Sequence, residues 1–306
     1  GINPAKKISF IITKSLTDTV SLEDLLLKEP KKTLSLNQKR LLLTSLADIS
    51  RKLHLSGINH RDFYLCHFHV KRDLDFSPEN IFLIDLHRAQ IRDAVPRRWS
   101  TKDIGGLFHS AMDLSLSETD CYRFLEAYFN KSLRQILQED RKFINSARKR
   151  AFSMYMKPKL NEISINPKTR ETSSPEYIRG NERKVRWIAR KDFFEKGLSE
   201  VMANVDEFIS KGEEIKFERG NHVVAVEFKN FSIYIKKFQV KGLAHYLRKF
   251  FSSTRAITAW KASYWLNAAG IKTITPIAVI ENYDSFTTRE SYFISLKQSG
   301  ERLDQV

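Results

Sequence analysis

At 306 residues with 42% apolar content, the chain is long enough to bury the cores of one two-lobed domain or of two smaller ones. Its 52 lysines and arginines against 36 acids leave a net charge of +16, which favours acidic partners: phosphate-bearing substrates, an anionic membrane surface or nucleic acid. Two cysteines, Cys66 and Cys121, without CxxC spacing argue against a disulfide framework or structural zinc and fit a reducing compartment; no run reaches the roughly 18 apolar residues of a membrane-spanning helix, and no signal-peptide pattern opens the chain.

Residues 8–13, Ile-Ser-Phe-Ile-Ile-Thr, read as a short buried strand, and Ser21-Leu-Glu-Asp-Leu opens a helix with acids in its first turn. Ser35 with Gln38 forms a capping-box pattern, and Leu36, Leu42, Leu43, Leu46, Ile49 and Leu53 keep helical spacing until Gly57 stops the run. This helix delivers the stretch from Gly57 to Val70, whose centre is His60-Arg61-Asp62, the core of a kinase catalytic loop. Phosphoryl transfer requires one carboxylate near the incoming hydroxyl, a second on Mg²⁺ and one more metal ligand between them. Asp62, Asp85 and His67 are the candidates for those places. In the usual kinase pattern the residue five after the catalytic Asp is Asn; here it is His67, an imidazole able to ligate a metal or touch a phosphate. His67 to Val70 and Ile81 to Asp85 read as two strands joined by the polar turn Lys71 to Asn80, which brings His67 and Asp85 close together. Taken alone, Asp85 is a strand-end turn residue; its distance behind His-Arg-Asp favours metal binding.

With these residues in view, HRDFYLCHFHV, then IDLHRAQ, then VPRRWSTKDIGGL resembles the lipopolysaccharide core heptose kinase family and the related Kdo kinases. The resemblance covers residues 1 to about 157 closely, and three motifs in the right order are far harder to obtain by accident than one tripeptide. It implies a kinase-like fold, ATP and Mg²⁺ as cofactors, and phosphorylation of an inner-core sugar. It also implies that residues 1–157 form the helical C-lobe, with His60, Arg61 and Asp62 catalytic and Asp85 and His67 on the metal. Asp103 then stands where a kinase aspartate accepts hydrogen bonds from the catalytic-loop backbone.

Between Arg88 and Lys102 lie Arg88, Arg92, Arg97, Arg98 and Lys102 against one acid, Asp93. This is either a solvated charge run or, in the place of an activation segment, a surface for an anionic sugar acceptor, because arginine binds phosphate or carboxylate bidentately. Residues 118–157 read as helices. From Arg141 to Lys159 there are seven basic residues and no acid, while Ile144, Ala147, Ala151, Phe152 and Tyr155 share a helical face. That pattern suits the last helix of the lobe or an interfacial membrane helix.

Pro158, Pro167 and Pro175 punctuate a polar linker over 158–184. A polar, helix-like segment follows, then strands at Glu214 to Arg219, His222 to Phe228 and Phe231 to Phe238, with a Gly220-Asn221 turn. This arrangement resembles a kinase N-lobe over 185–306, with Gly220 in the phosphate-covering loop and Lys236 as the phosphate-binding lysine. The helix Thr254 to Ala269, ended by Gly270, resembles the one that packs behind that lysine. Here the chain departs from the pattern, since no Asp or Glu occurs from Phe228 to Ile280 and Ala259 stands near the place of the helix glutamate; nine basic residues in the same window are able to hold phosphates electrostatically instead. Trp260 and Trp265 read as core packing.

Ser291-Tyr-Phe-Ile-Ser295 repeats the pattern of Ser9-Phe-Ile-Ile-Thr13, so the chain starts and ends at a kinase-like hinge. The expected order is an α+β C-lobe, linker, N-lobe: a cut-out of tandem kinases, favoured by the missing initiator methionine, or a circular permutation that places Gly1 near Val306. The function expected is phosphorylation of a heptose or Kdo of the lipopolysaccharide inner core, at the cytoplasmic face of the bacterial inner membrane with peripheral contact to anionic lipid. The alternative is a non-catalytic basic module on membrane or nucleic acid, which leaves the two carboxylates unexplained; no RNA-binding signature is visible and no nucleic acid is expected. Zinc or thiol chemistry of Cys66, His67 and His69 lacks a fourth ligand.

Overall fold

The computed structural model describes residues 2–3, 8–9, 12–28, 34–165, 174–182, 184–218, 221–229, 231–239, 253–283 and 288–298. The fold is α+β, helical in its first half and antiparallel β in its second, and it divides into two compact units, Gly1–Tyr155 and Met156–Val306.

The first unit is built on helix α1, Leu36–Leu55, and its capping box is present: the Gln38 N–H donates to Ser35 Oγ at 3.2 Å and the Ser35 N–H to Gln38 Oε1 at 3.0 Å. Its apolar stripe, Leu42, Leu46 and Ala47, is buried with Phe63, Leu65, Phe68, Val70, Phe76, Ile104 and Leu125 in one core. After α1, Gly57 turns the chain at φ 77°, and its carbonyl accepts the Arg92 N–H at 2.9 Å. The short strand β1, Ile58–Asn59, then pairs with Gln90–Ile91. A Cβ at Gly57 would stand 1.9 Å from the Arg92 carbonyl oxygen. Gly57→Ala is therefore expected to lower the unfolding free energy by about 3 kcal/mol or more in a urea titration, and a loss below about 1 kcal/mol would mean that this junction relaxes freely.

Strands β2, Phe68–Lys71, and β3, Ile81–Leu83, pair antiparallel, with Phe68 opposite Leu83 and Val70 opposite Ile81. Thr19–Ser21 adds a third strand on the other edge of β2. The expected strand over 8–13 is shorter: Ile8–Ser9 pairs with Ile2–Asn3, residues 10–11 lie outside the described residues, and Ile12 to Thr17 run exposed without a ladder partner. Helix α2, Arg97–Ser110, packs closely on its neighbours through a glycine pair, since a Cβ at Gly105 would meet the Arg150 side chain at 2.9 Å and one at Gly106 the Phe63 carbonyl at 3.0 Å. Helices α3, Glu118–Phe129, and α4, Leu133–Glu139, both start with serine capping boxes, and α5 runs Arg141–Glu162. On α5 the expected face is graded: Ile144, Ala147 and Ala151 are buried, Phe152 is half-buried and Tyr155 is exposed.

The linker expected over 158–184 is corrected at both ends. Pro158 lies inside α5, which continues to Glu162, and strand β4 starts at Tyr177. Proline removes one backbone donor, but Leu160, Ile163 and Ile165 beyond it enter an apolar cluster with Tyr177, Ile188, Trp260, Val279 and Phe293, and that burial outweighs the missing bond. The polar, helix-like segment expected after residue 184 begins instead as strand β5, Val185–Arg190, because Ile188 and Ala189 are fully buried, each in a different apolar cluster of the second unit.

The second unit is a seven-stranded antiparallel sheet. Its further strands are β6, Glu213–Glu218, β7, Asn221–Phe228, β8, Phe231–Gln239, β9, Pro276–Tyr283, and β10, Thr288–Leu296, in the order β6-β7-β8-β10-β9-β5-β4. One face carries the apolar cluster of Trp260 on helix α6, Arg255–Ala268; the other buries Val224, Ile233, Ile235, Ile280 and Tyr292 against Leu198, Val201 and Val205. Trp260 is fully buried and its indole donates to the Ile163 carbonyl at 3.0 Å, whereas Trp265 is 37% exposed, so the tryptophan pair splits between core and surface. No described helix is long and apolar enough to cross a membrane.

Candidate active site

The tripeptide His60-Arg61-Asp62 is held from below by Asp103 on α2. Its Oδ2 accepts the His60 N–H at 2.7 Å and its Oδ1 the Arg61 N–H at 2.9 Å. The same carboxylate, 1% exposed, lies 3.3 Å from His54 Nε2; when that nitrogen donates, His54 Nδ1 accepts the Tyr128 hydroxyl at 2.7 Å. Held in this way, Arg61 adopts φ 76°, a left-handed conformation that a non-glycine residue keeps only where its surroundings enforce it. His60 is fully buried and its Nε2–H donates to the Ile84 carbonyl at 2.9 Å, which ties the loop to the residue before Asp85.

His67 links the two candidate carboxylates. Its Nδ1–H donates to the Asp62 carbonyl at 2.7 Å, so the neutral ring carries its lone pair on Nε2, and that atom stands 3.3 Å from Asp85 Oδ2. Asp85 ends the strand β3 ladder in a left-handed conformation, φ 63° and ψ 53°, which aims its side chain back across the hairpin. The hydrogen bond from the His87 ring, 2.5 Å to Asp85 Oδ1, holds the Asp85 carboxyl below the usual carboxylate range, with slight burial opposing it. Asp62 is accessible at its other end, where Oδ1 accepts Arg88 Nη1 at 2.7 Å.

An imidazole lone pair and a carboxylate oxygen facing each other at 3.3 Å repel unless a proton or a cation lies between them. These two donors therefore fit a divalent cation. Among the described residues no group of three or more His, Cys, Asp or Glu gathers to hold one, so its remaining ligands would be water and phosphate oxygens, as for Mg²⁺ bound with a nucleotide. Burial pushes the Cys66 thiol above its ordinary pKa, with Glu23 acting in the same sense, which leaves it a poor thiolate for zinc or nucleophilic chemistry.

In the second unit Lys236 is half-buried on β8, opposite Val223 and Phe293, and so lies on the sheet face that packs against α6. Burial holds its ammonium below the ordinary lysine range, and among the described residues no carboxylate pairs with it. Ala259 is half-buried on α6. Gly220 lies outside the described residues, as do Gly1 and Val306. An apolar cavity of about 690 Å³ in the first unit, lined by Leu26, Leu42, Leu46, Leu107, Phe108 and Phe152, includes none of Asp62, Asp85 and Asp103.

Sequence reasoning named Arg88 as one of a basic run, not as the partner of Asp62, and it passed over His87. It also passed over Glu281, the first acid beyond the acid-free window. Glu281 is 5% exposed and accepts the Thr254 hydroxyl at 2.6 Å and the Tyr283 hydroxyl at 2.7 Å. The one signal for it was an acid directly following the apolar strand run Ile277 to Ile280.

Residues 1–128 match the family described as Lipopolysaccharide kinase (Kdo/WaaP) family. The chain is 44% identical over 149 residues to the lipopolysaccharide core heptose(I) kinase WaaP of Escherichia coli (strain K12), covering 48% of this chain and 56% of that one. It is 39% identical over 157 residues to the protein of the same name from Pseudomonas aeruginosa, covering 51% and 59%. The chain thus spans little more than half the length of the curated relatives it matches. A solved structure titled "WaaP in complex with acyl carrier protein" is similar at 38% identity and a TM-score of 0.45, covering 51% of this chain and 65% of that one. The segment that carries the Asp62, His67 and Asp85 geometry is thus the part of the chain that is similar to the lipopolysaccharide kinase (Kdo/WaaP) family.

Proposed function

We propose that the chain is part of an ATP-dependent kinase that phosphorylates a heptose or Kdo of the lipopolysaccharide inner core, working at the cytoplasmic face of the inner membrane. The observation that carries this reading is the pairing of His67 Nε2 with Asp85 Oδ2 beside Asp62, in a segment that matches a lipopolysaccharide kinase family. Asp62 orients the acceptor hydroxyl and takes its proton late in the transfer. Arg88, in contact with Asp62, keeps a positive charge where phosphate charge develops. Asp85 and His67 would hold Mg²⁺, which supplies charge neutralisation of the nucleotide's phosphates. His60, Arg61 and Asp103 position the loop.

We read the first unit as a kinase C-lobe and the second as an N-lobe. In support of the latter, three consecutive strands, a helix and two more strands are ordered β6-β7-β8-β10-β9, and Lys236 sits on the third strand facing the helix side. Lys236 and Gly220 are the candidate nucleotide-phosphate contacts of that unit. Contact with anionic lipid suits the basic residues of α5.

Transfer of label from γ-labelled ATP to a heptose acceptor, followed against Mg²⁺ concentration, tests the proposal. Asp85→Asn is expected to abolish turnover at every Mg²⁺ concentration while the thermal melt stays close to that of the parent, because the carboxylate is exposed and contributes charge rather than packing. Parental turnover of Asp85→Asn at saturating Mg²⁺ would reject the metal role. His67→Asn is expected to keep part of the activity, roughly 10-fold below the parent, since Asn fills this position in the usual kinase pattern. Complete loss in a folded His67→Asn protein would assign the imidazole a task that an amide cannot perform.

A further inference from the structure

Four cations converge on one indole. The charged centres of Lys102, Arg98, Arg92 and Arg61 lie 4.1, 5.4, 5.5 and 5.9 Å from the centroid of the Trp99 ring. They are therefore within about 12 Å of one another, close enough to repel measurably where protein displaces water. Cation–π attraction offsets part of that cost. Carboxylates do not: among the described residues none of the four makes an ion pair with an acid, and Arg92 spends its donors on the neutral oxygens of Asn59 and Gln90. The neighbouring basic residues are engaged elsewhere, Arg88 with Asp62 and Arg97 with Asp140. The Trp99 indole nitrogen is buried without an acceptor. Arg61 enters the cluster from the residue next to Asp62, so the cluster shares its backbone with the candidate catalytic carboxylate.

We propose that Arg61, Arg92, Arg98 and Lys102 around Trp99 form a binding subsite for a carboxylate or phosphate group carried by the acceptor sugar. A like-charge cluster without acids is stabilised by the anion it binds, and forked guanidinium groups match a planar carboxylate or a phosphate oxygen pair. The subsite selects acceptors that are already acidic. The identity of the anion's carrier rests on the kinase reading, whereas the anion site itself does not.

Two measurements separate these parts. Trp99 is the single tryptophan of the first unit, so titration with inorganic phosphate is expected to give a saturable fluorescence change that Trp99→Phe abolishes and that Arg98→Gln/Lys102→Gln weakens about 10-fold or more in apparent Kd. A titration without a Trp99-dependent change, or with the same Kd in the double variant, overturns the subsite. The second measurement compares kcat/KM for a sugar acceptor carrying a carboxylate or phosphate with that for its neutral counterpart. The double variant is expected to lower this ratio about 10-fold or more; an unchanged ratio overturns the acceptor assignment. An added 80 Da in the intact mass that phosphatase removes, together with phosphate binding only after that treatment, also overturns it, because the anion is then the chain's own modification. A protein without turnover on any acceptor fails the kinase reading, and the fluorescence titration alone then decides the anion site.

Discussion

Asp62→Ala is expected to lower phosphate transfer to a sugar acceptor by about 10²- to 10⁴-fold, the range that a positioned acid–base group contributes. On the kinase reading, its carboxylate is the one among the described residues of the site left to orient an incoming hydroxyl: Asp85 is turned toward His67 and His87, and Asp103 is spent on the backbone beneath the loop. The fold should hardly notice the change. Among the described residues the ion pair lost is that with Arg88, which is 47% exposed, and such pairs contribute about 1 kcal/mol or less. The His67 ring bonds the Asp62 main-chain carbonyl, which alanine keeps. Initial rates at saturating ATP, with a urea melt on the same preparation, check both halves. Turnover within about 3-fold of the parent would remove Asp62 from the mechanism.

Asp103→Ala is expected to act in the opposite manner, through stability first. Alanine leaves the buried N–H of His60 and the part-buried N–H of Arg61 without an acceptor and removes the partner of His54. Each orphaned buried donor costs about 1–3 kcal/mol, so a loss of about 3–5 kcal/mol in unfolding free energy is expected. Asp103→Asn keeps one acceptor oxygen and should fall between the parent and the alanine variant. If the loop loosens before the domain unfolds, Arg61 leaves its left-handed conformation and Asp62 its place, so the folded fraction of Asp103→Ala should also turn over slowly. A cost below about 1 kcal/mol would mean that the loop finds other acceptors.

The sequence by itself determined the local parts, because their signals are local. A serine three residues before a glutamine starts α1, and leucines at helical spacing carry it to a glycine that only a left-handed turn requires. Two apolar runs around a polar turn announced the hairpin that sets His67 against Asp85. The strands and helix from residue 213 to residue 268 were legible for the same reason. Misreadings arose where a distant partner overrides local composition. Proline at 158 punctuates the sequence but not the helix, since the apolar residues after it are buried by strands far along the chain. Val185–Arg190 is polar enough to pass as a helix or loop until β9, nearly a hundred residues on, pairs with it. Only tertiary structure decided which of the five basic residues after Asp85 acts where. Arg88 reaches Asp62, Arg97 reaches Asp140, and Arg92, Arg98 and Lys102 meet Arg61 on Trp99, because charge is written in the chain whereas the distance between charges is set by packing.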